Sequence, residues 1–193
     1  MRLVSGRFKG RTLVAPPGQA TRPTSDRARQ ALFDVIAHAV WAPELDGAKV
    51  IDLFAGSGGL GFEALSRGAA YCLFVETDEQ ARGAIRENMD ALGLFGETRV
   101  HRRDAADLGV CHSSAGGPFD LAFLDPPYRK GLGERALAEL LKGGWLKPDA
   151  LVVFERGADE PDPEVEGYDL IDARVWGAAR VLFMRQAAAP TSD

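Results

Sequence analysis

The sequence predicts an α/β fold, with a mostly parallel, doubly wound sheet that ends in an antiparallel hairpin. Three observations predict it. From Lys49 onward, short β-prone apolar runs alternate with amphipathic helical stretches, the pattern of βαβ units joined by right-handed crossovers. Glu76, Asp104 and Asp125 each stand at the carboxyl end of a strand candidate, the edge at which open sheets bind ligands. After Phe154 the alternation stops, and two strands follow around a tight Trp176-Gly177 turn.

Taken in order, residues 2–14 read as a short hairpin whose Gly6-to-Gly10 turn carries Arg7 and Lys9. Pro16-Pro17-Gly18 opens a polar connector to Pro23. Thr24 or Ser25 can cap the next helix, with Asp26 favourably placed in its first turn. Leu32, Val35, Ile36 and Ala39 form its apolar face, and Arg27 and Arg29 its other face. Val50–Phe54 is a strand, followed by a glycine-rich turn and a helix through about Arg67. Tyr71–Glu76 is the next strand, Glu79–Leu92 the next helix, and Thr98–His101 a third strand leading to Asp104. Phe119–Leu124 makes a fourth strand, which Pro126 and Pro127 must stop because they can neither continue a helix nor donate to a ladder. A helix with Leu137, Leu140 and Leu141 in its core precedes a fifth strand, Leu151–Phe154. Tyr168–Val175 and Arg180–Met184 form the closing hairpin. Residues 1–23 are expected to be a basic hairpin and connector, 24–186 the main domain, and 187–193 a flexible tail.

At 193 residues, 46% hydrophobic and 26% charged, the chain can bury the core of one ordinary globular domain. No apolar run approaches the ~20 residues of a membrane helix. Two cysteines imply no disulfide framework, so a reduced cytoplasmic home is expected, and a monomer. The three histidines show no metal-ligand spacing, and no metal is expected. The net charge of −5 hides an asymmetry. Residues 1–30 hold seven basic side chains and one acid, a net +6, which leaves −11 for the remainder. A basic head on an acidic body suits a polyanionic partner.

Gly56, Gly58 and Gly61 follow the first strand with dinucleotide-fingerprint spacing. Asp52 argues against a diphosphate there and for a cation or ammonium donors; S-adenosylmethionine, with an ammonium, a sulfonium and no phosphate, fits. Glu76 is placed to accept from ribose hydroxyls, and Asp104 from an adenine amino group. Asp125-Pro126-Pro127-Tyr128 is the sharpest signal. A carboxylate, a stiff turn and a ring suit a planar ligand bearing N–H donors. With Asp125 and the Pro126 carbonyl as acceptors, an exocyclic amine is held towards a methyl donor, and Asp125 can take the released proton. Tyr128 would stack on a base drawn out of its helix.

At these residues the chain resembles the bacterial methyltransferases that modify a guanine N2 amine in 16S ribosomal RNA. The resemblance lies in Gly6–Arg11, Arg22–Phe33, Asp52–Gly61 with Ala64–Ala69, and Leu124–Tyr128. It implies a seven-stranded, Rossmann-like class I methyltransferase sheet. It also implies a cofactor site of Asp52, Phe54, Ala55, Gly56, Gly58, Glu76, Asp104 and Ala105, with Thr24 near the methionine end. Asp125, Pro126 and Tyr128 would serve the target base. Arg7, Lys9, Arg11, Arg22, Arg129 and Lys130 would meet RNA within a small-subunit assembly particle. Gly59 stands where an Ala is usual, and Tyr128 where Phe is often seen. Other readings are an adenine-N6 methyltransferase, a glutamine-amide methyltransferase (where Asn is expected at position 125), and a non-catalytic nucleotide- or RNA-binding module.

Overall fold

The computed structural model describes residues 1–16, 26–163 and 165–187. Thr24, Ser25 and Arg22, and all of the expected tail except Ala187, lie outside them. The elements in chain order are α1 (Asp26–His38), β1 (Lys49–Leu53), α2 (Gly59–Ser66), β2 (Tyr71–Val75), α3 (Glu79–Leu92), β3 (Thr98–His101), β4 (Phe119–Leu124), α4 (Leu132–Lys142), β5 (Leu146–Gly157), β6 (Tyr168–Trp176) and β7 (Ala179–Gln186). They form one seven-stranded sheet in the order β3-β2-β1-β4-β5-β7-β6. The first five strands run parallel, and β7 is antiparallel to β5 and β6.

Period-two alternation builds two cores from these strands. Phe74, Phe123, Val153 and Phe183 join one cluster with Leu32, Phe33, Phe62, Ile85 and Met89 of α1, α2 and α3. Leu53, Val75, Leu124, Phe154 and Leu182 join the other with Ala136, Leu137 and Leu140 of α4. Strands buried on both faces read as continuous apolar runs, which is why they stand out in the sequence. Trp145 is buried, with Nε1 donating to the Gly109 carbonyl at 2.7 Å, and Trp41 packs on Phe183. Both tryptophans are therefore packing residues.

Three local expectations are corrected. Phe54 leaves β1 at φ 59° and belongs to the turn rather than the strand. β5 is longer at both ends than Leu151–Phe154. Its start tolerates Pro148 because the β4–β5 register jumps from Phe119↔Leu146 to Leu121↔Leu151, looping the intervening residues out of the ladder. Its end runs on to Gly157 because β7 continues to pair there, opposite Ala179. Arg29 is buried rather than on an outer face. It sits 2.9 Å from Asp26 and 3.6 Å from the fully buried Glu63, whose charge needs a cation in a dry site.

The N-terminal hairpin forms a single bridge, Arg2↔Thr12, with Leu3 N donating to Arg11 O at 3.0 Å and Leu13 N to Met1 O at 2.9 Å. It docks on α2. The Glu63 carboxylate accepts from the amides of Val4 (2.9 Å) and Ser5 (3.1 Å), and the Arg7 amide donates to Ser66 O at 2.7 Å. A side chain at Gly6 (φ 76°) would lie 1.8 Å from Ser66 O, so glycine is required where the hairpin crosses the helix end.

Candidate active site

The chain order reverses between β1 and β4: β2 and β3 lie on one side, β4 and β5 on the other. Ligands bind at such a switch point, beyond the carboxyl ends of the strands. One cleft of about 1280 Å³ opens there. Single small-molecule sites span roughly 300–1,000 Å³, so the cleft has room for two ligands. Asp52, Phe54, Ala55, Gly56, Glu76, Asp104, Ala105, Asp125, Pro126 and Tyr128 all line it. Residues from four strand ends, dispersed over more than 70 positions of sequence, thus share one wall of space.

The turn after β1 is built around two carboxylates. Asp52, only 2% exposed, accepts from the Gly61 amide at 2.9 Å and so holds the first turn of α2 against the strand. Burial, with some repulsion from Glu76, pushes its pKa up to about 8 despite the Gly61 hydrogen bond. Glu76 bridges two backbones: Oε2 accepts from Gly56 N and Oε1 from Asp78 N, each at 2.8 Å. It therefore shapes the glycine turn, while each oxygen retains a further lone pair for a hydroxyl. Gly56 takes φ 56° and nothing of the protein lies within 4 Å of a side chain built there. Gly61 by contrast packs at the sheet, where a side chain would come 2.4 Å from Phe74. Gly58, at φ 81°, lies between Ser57 and Gly59 of the cleft lining, and a side chain there would come 2.6 Å from Phe62. Phe54 pays for its positive φ, costly in a bulky residue, and such strain collects at ligand sites.

Asp104 Oδ1 accepts from Ala106 N at 2.9 Å, while Arg103 turns to the Leu108 carbonyl at 2.7 Å. Across the cleft Asp125 is half-buried and Pro126 buried. A side chain at Gly133 would meet Phe154 at 2.2 Å and Pro126 at 3.1 Å, so the start of α4 presses directly on the Pro-Pro turn. The Tyr128 hydroxyl donates to Glu155 Oε1 at 2.8 Å.

Two contributors escape a reading by motif. Glu155 also lines the cleft; it stands next in sequence to the strand Leu151–Phe154, so the strand-end rule that picks out Asp125 also reaches it. Asn88, on α3, is buried and ties Val14 to the glycine turn after β1, donating to Val14 O (3.0 Å) and Ser57 O (3.3 Å) and accepting from Val14 N (2.8 Å). Nothing in the sequence signals that bridge, since both partners are backbone.

The expected RNA contacts are distributed around the body. Arg7 pairs with Glu97, and Arg11 Nη2 donates to Ala91 O at 2.7 Å. Arg129 pairs with Asp159, and Lys9 and Lys130 are exposed. Exposed pairs contribute below about 1 kcal/mol, so such arginines can exchange a carboxylate for a phosphate at little cost.

The family described as Conserved hypothetical protein 95 matches residues 1–185. The chain belongs to this family. The putative rRNA methyltransferase YlbH of Bacillus subtilis is 38% identical over 174 residues, 90% of this chain and 91% of its own. Ribosomal RNA small subunit methyltransferase D of Escherichia coli is 35% identical over 189 residues, covering 97% and 91%. The solved structure of Escherichia coli yhhF superposes with a TM-score of 0.82 at 32% identity, covering 98% and 99% of the two chains. The Rossmann-like sheet is shared along its full length.

Proposed function

We propose that this protein is an RNA methyltransferase that moves a methyl group from S-adenosylmethionine to the exocyclic N2 amine of a guanine in 16S ribosomal RNA. Membership of the family and the named relative support methylation of small-subunit ribosomal RNA. The observation that carries the reading is the meeting of the Asp52 turn and the Asp125 turn in one cleft at the switch point.

The residues fit the cofactor. The cleft walls bear Asp52, Glu76, Asp78 and Asp104 around a turn with an open face at Gly56, a lining that favours a cationic ligand and disfavours a diphosphate. When bound, S-adenosylmethionine supplies an electrophilic methyl carbon. Asp52 stabilises the positive charge at the methionine end. Glu76 accepts from ribose hydroxyls while it keeps Gly56 in place. Asp104 faces the adenine, flanked by Ala105. Thr24 belongs to the same site in this reading and lies outside the described residues.

At the other wall, an arylamine is a weak nucleophile because its lone pair is delocalised. Asp125 and the Pro126 carbonyl accept its two hydrogens and turn the lone pair towards the donor. The same preorganised acceptors stabilise the positive charge growing on nitrogen, and Asp125 takes the proton. Tyr128 stacks on the base. Alignment of nitrogen, methyl carbon and sulfur supplies most of the remaining acceleration. Arg7, Lys9, Arg11, Arg22, Arg129 and Lys130 hold the phosphates of the RNA, within an assembling small subunit.

Labelled S-adenosylmethionine, incubated with the protein and small ribosomal subunits lacking the modification, tests this by nucleoside analysis. Label in N2-methylguanosine is expected. Label in N6-methyladenosine or in protein would overturn the reading.

A further inference from the structure

The residues around Asp125 select an exocyclic amine, and that alone does not distinguish guanine from adenine. A second acid beside Asp125 does. Leu124 of β4 pairs with Phe154 of the parallel β5, both side chains pointing into the same core cluster. The next residues, Asp125 and Glu155, therefore emerge as neighbours at the sheet edge, about 4.8 Å being the spacing of adjacent strands, and both line the cleft. β5 continues through Glu155 because β7 pairs with it there, opposite Val181, so this acid sits on a rigid strand rather than a loop. Arg156 turns to the other face, where it pairs with Glu134 (3.1 Å) and Glu160 (3.2 Å). Glu155 also receives the Tyr128 hydroxyl at 2.8 Å, which fixes the carboxylate beside the ring on which the base would lie.

We propose that Glu155 is a specificity-determining residue that reads the N1–H of the target guanine while Asp125 and the Pro126 carbonyl hold its N2 amine. The inference rests on the guanine-N2 reading above. Guanine presents N1–H and N2–H side by side, a run of donors that two adjacent carboxylates match. Adenine presents a lone pair at N1, which a carboxylate repels. A site built to accept a particular N–H discriminates through the buried acceptor left unpaired by the wrong base.

The test compares 16S RNA carrying guanine or 2-aminopurine at the methylated position, placed by ligation and assembled into subunits. 2-Aminopurine keeps the exocyclic amine but bears a lone pair at N1. The wild-type protein should favour guanine by roughly 10- to 100-fold in kcat/KM, as for loss of a hydrogen bond to a charged acceptor. Glu155→Gln, nearly isosteric and able to donate to the N1 lone pair, should collapse that preference towards unity. Tyr128→Phe, which removes the hydroxyl that fixes the Glu155 carboxylate, should lower the preference for guanine only in part, since the acid itself remains. If Glu155→Gln turns over too slowly, quenching of 2-aminopurine fluorescence, competed by the guanine RNA, yields the same ratio from binding. Cofactor affinity of each variant reports an intact fold. A wild-type protein indifferent to the two bases, or a Glu155→Gln ratio equal to wild type, overturns the role of Glu155. A wild-type product other than N2-methylguanosine on the natural RNA overturns the underlying guanine reading instead.

Discussion

Two carboxylates at the sheet edge are asked for opposite things. Asp125, half-buried on a turn that Pro126 and Pro127 stiffen, acts in the proposed reaction on charge that develops only as methyl transfer proceeds. Asp125→Ala should therefore lower kcat by about 10²-fold or more with cofactor affinity retained, read from single-turnover methylation and calorimetry. Asp52 is buried, and its raised pKa of about 8 means that it holds its proton in the ligand-free protein at neutral pH. A cationic ligand favours the ionised form, so binding should release a proton. Affinity should weaken as pH falls below about 8, by up to roughly tenfold per unit. Asp52→Asn should flatten that profile, and calorimetry in buffers of different ionisation enthalpy checks both. Without ligand the linkage has the other sign. The folded state keeps the Asp52 proton that the unfolded chain loses between pH 3.8 and about 8, so this group's contribution to stability falls as pH rises through that window. At Gly59 a side chain would meet Met1 Cε at 2.7 Å; Met1 fills the space that a methyl group would take.

Among the elements, α3 does more than cover the sheet. Asp78 caps it by accepting from Ala81 N at 2.8 Å, and Gly93 ends it at φ 68°. From its inner face Asn88 holds both the segment after the hairpin and the turn after β1. Asn88→Ala leaves these buried backbone groups without their partner, and should cost about 1–3 kcal/mol in urea unfolding. It should also weaken cofactor binding, because the Ser57 carbonyl lies within the glycine turn. α2 and the hairpin are joined in the same manner through Glu63, so the basic head is anchored to the helix that follows the glycine turn.

For the whole molecule the decisive feature is the separation of charge. Asp52, Glu76, Asp78 and Asp104 line the cleft, where the proposed cofactor is cationic, while Arg7, Lys9 and Arg11 sit on the hairpin docked at the far end of α2. Changing these three to Ala should weaken RNA binding and reduce the slope of log affinity against log salt by roughly one unit per lost phosphate contact. Titration of RNA at several salt concentrations measures it. An unchanged slope would place the RNA elsewhere on the surface.

The alternation of strands and helices, the site turns after Asp52 and before Tyr128, and the sheet-edge positions of Glu76 and Asp104 are legible in the chain itself. They depend on local period and on proline and glycine chemistry, which neighbours in sequence determine. Other features depend on groups brought together from distant positions. Arg29 looks like a surface residue until Glu63, from α2, demands a buried counter-charge. β5 reaches Glu155 and Gly157 only because β7 pairs with it, and Asn88 acquires its partners only when the hairpin folds back. The sequence by itself thus determined which acids end which strands. The tertiary structure decided that Asp125 has a second carboxylate for a neighbour, because register between β4 and β5 is a property of the assembled sheet and of neither strand alone.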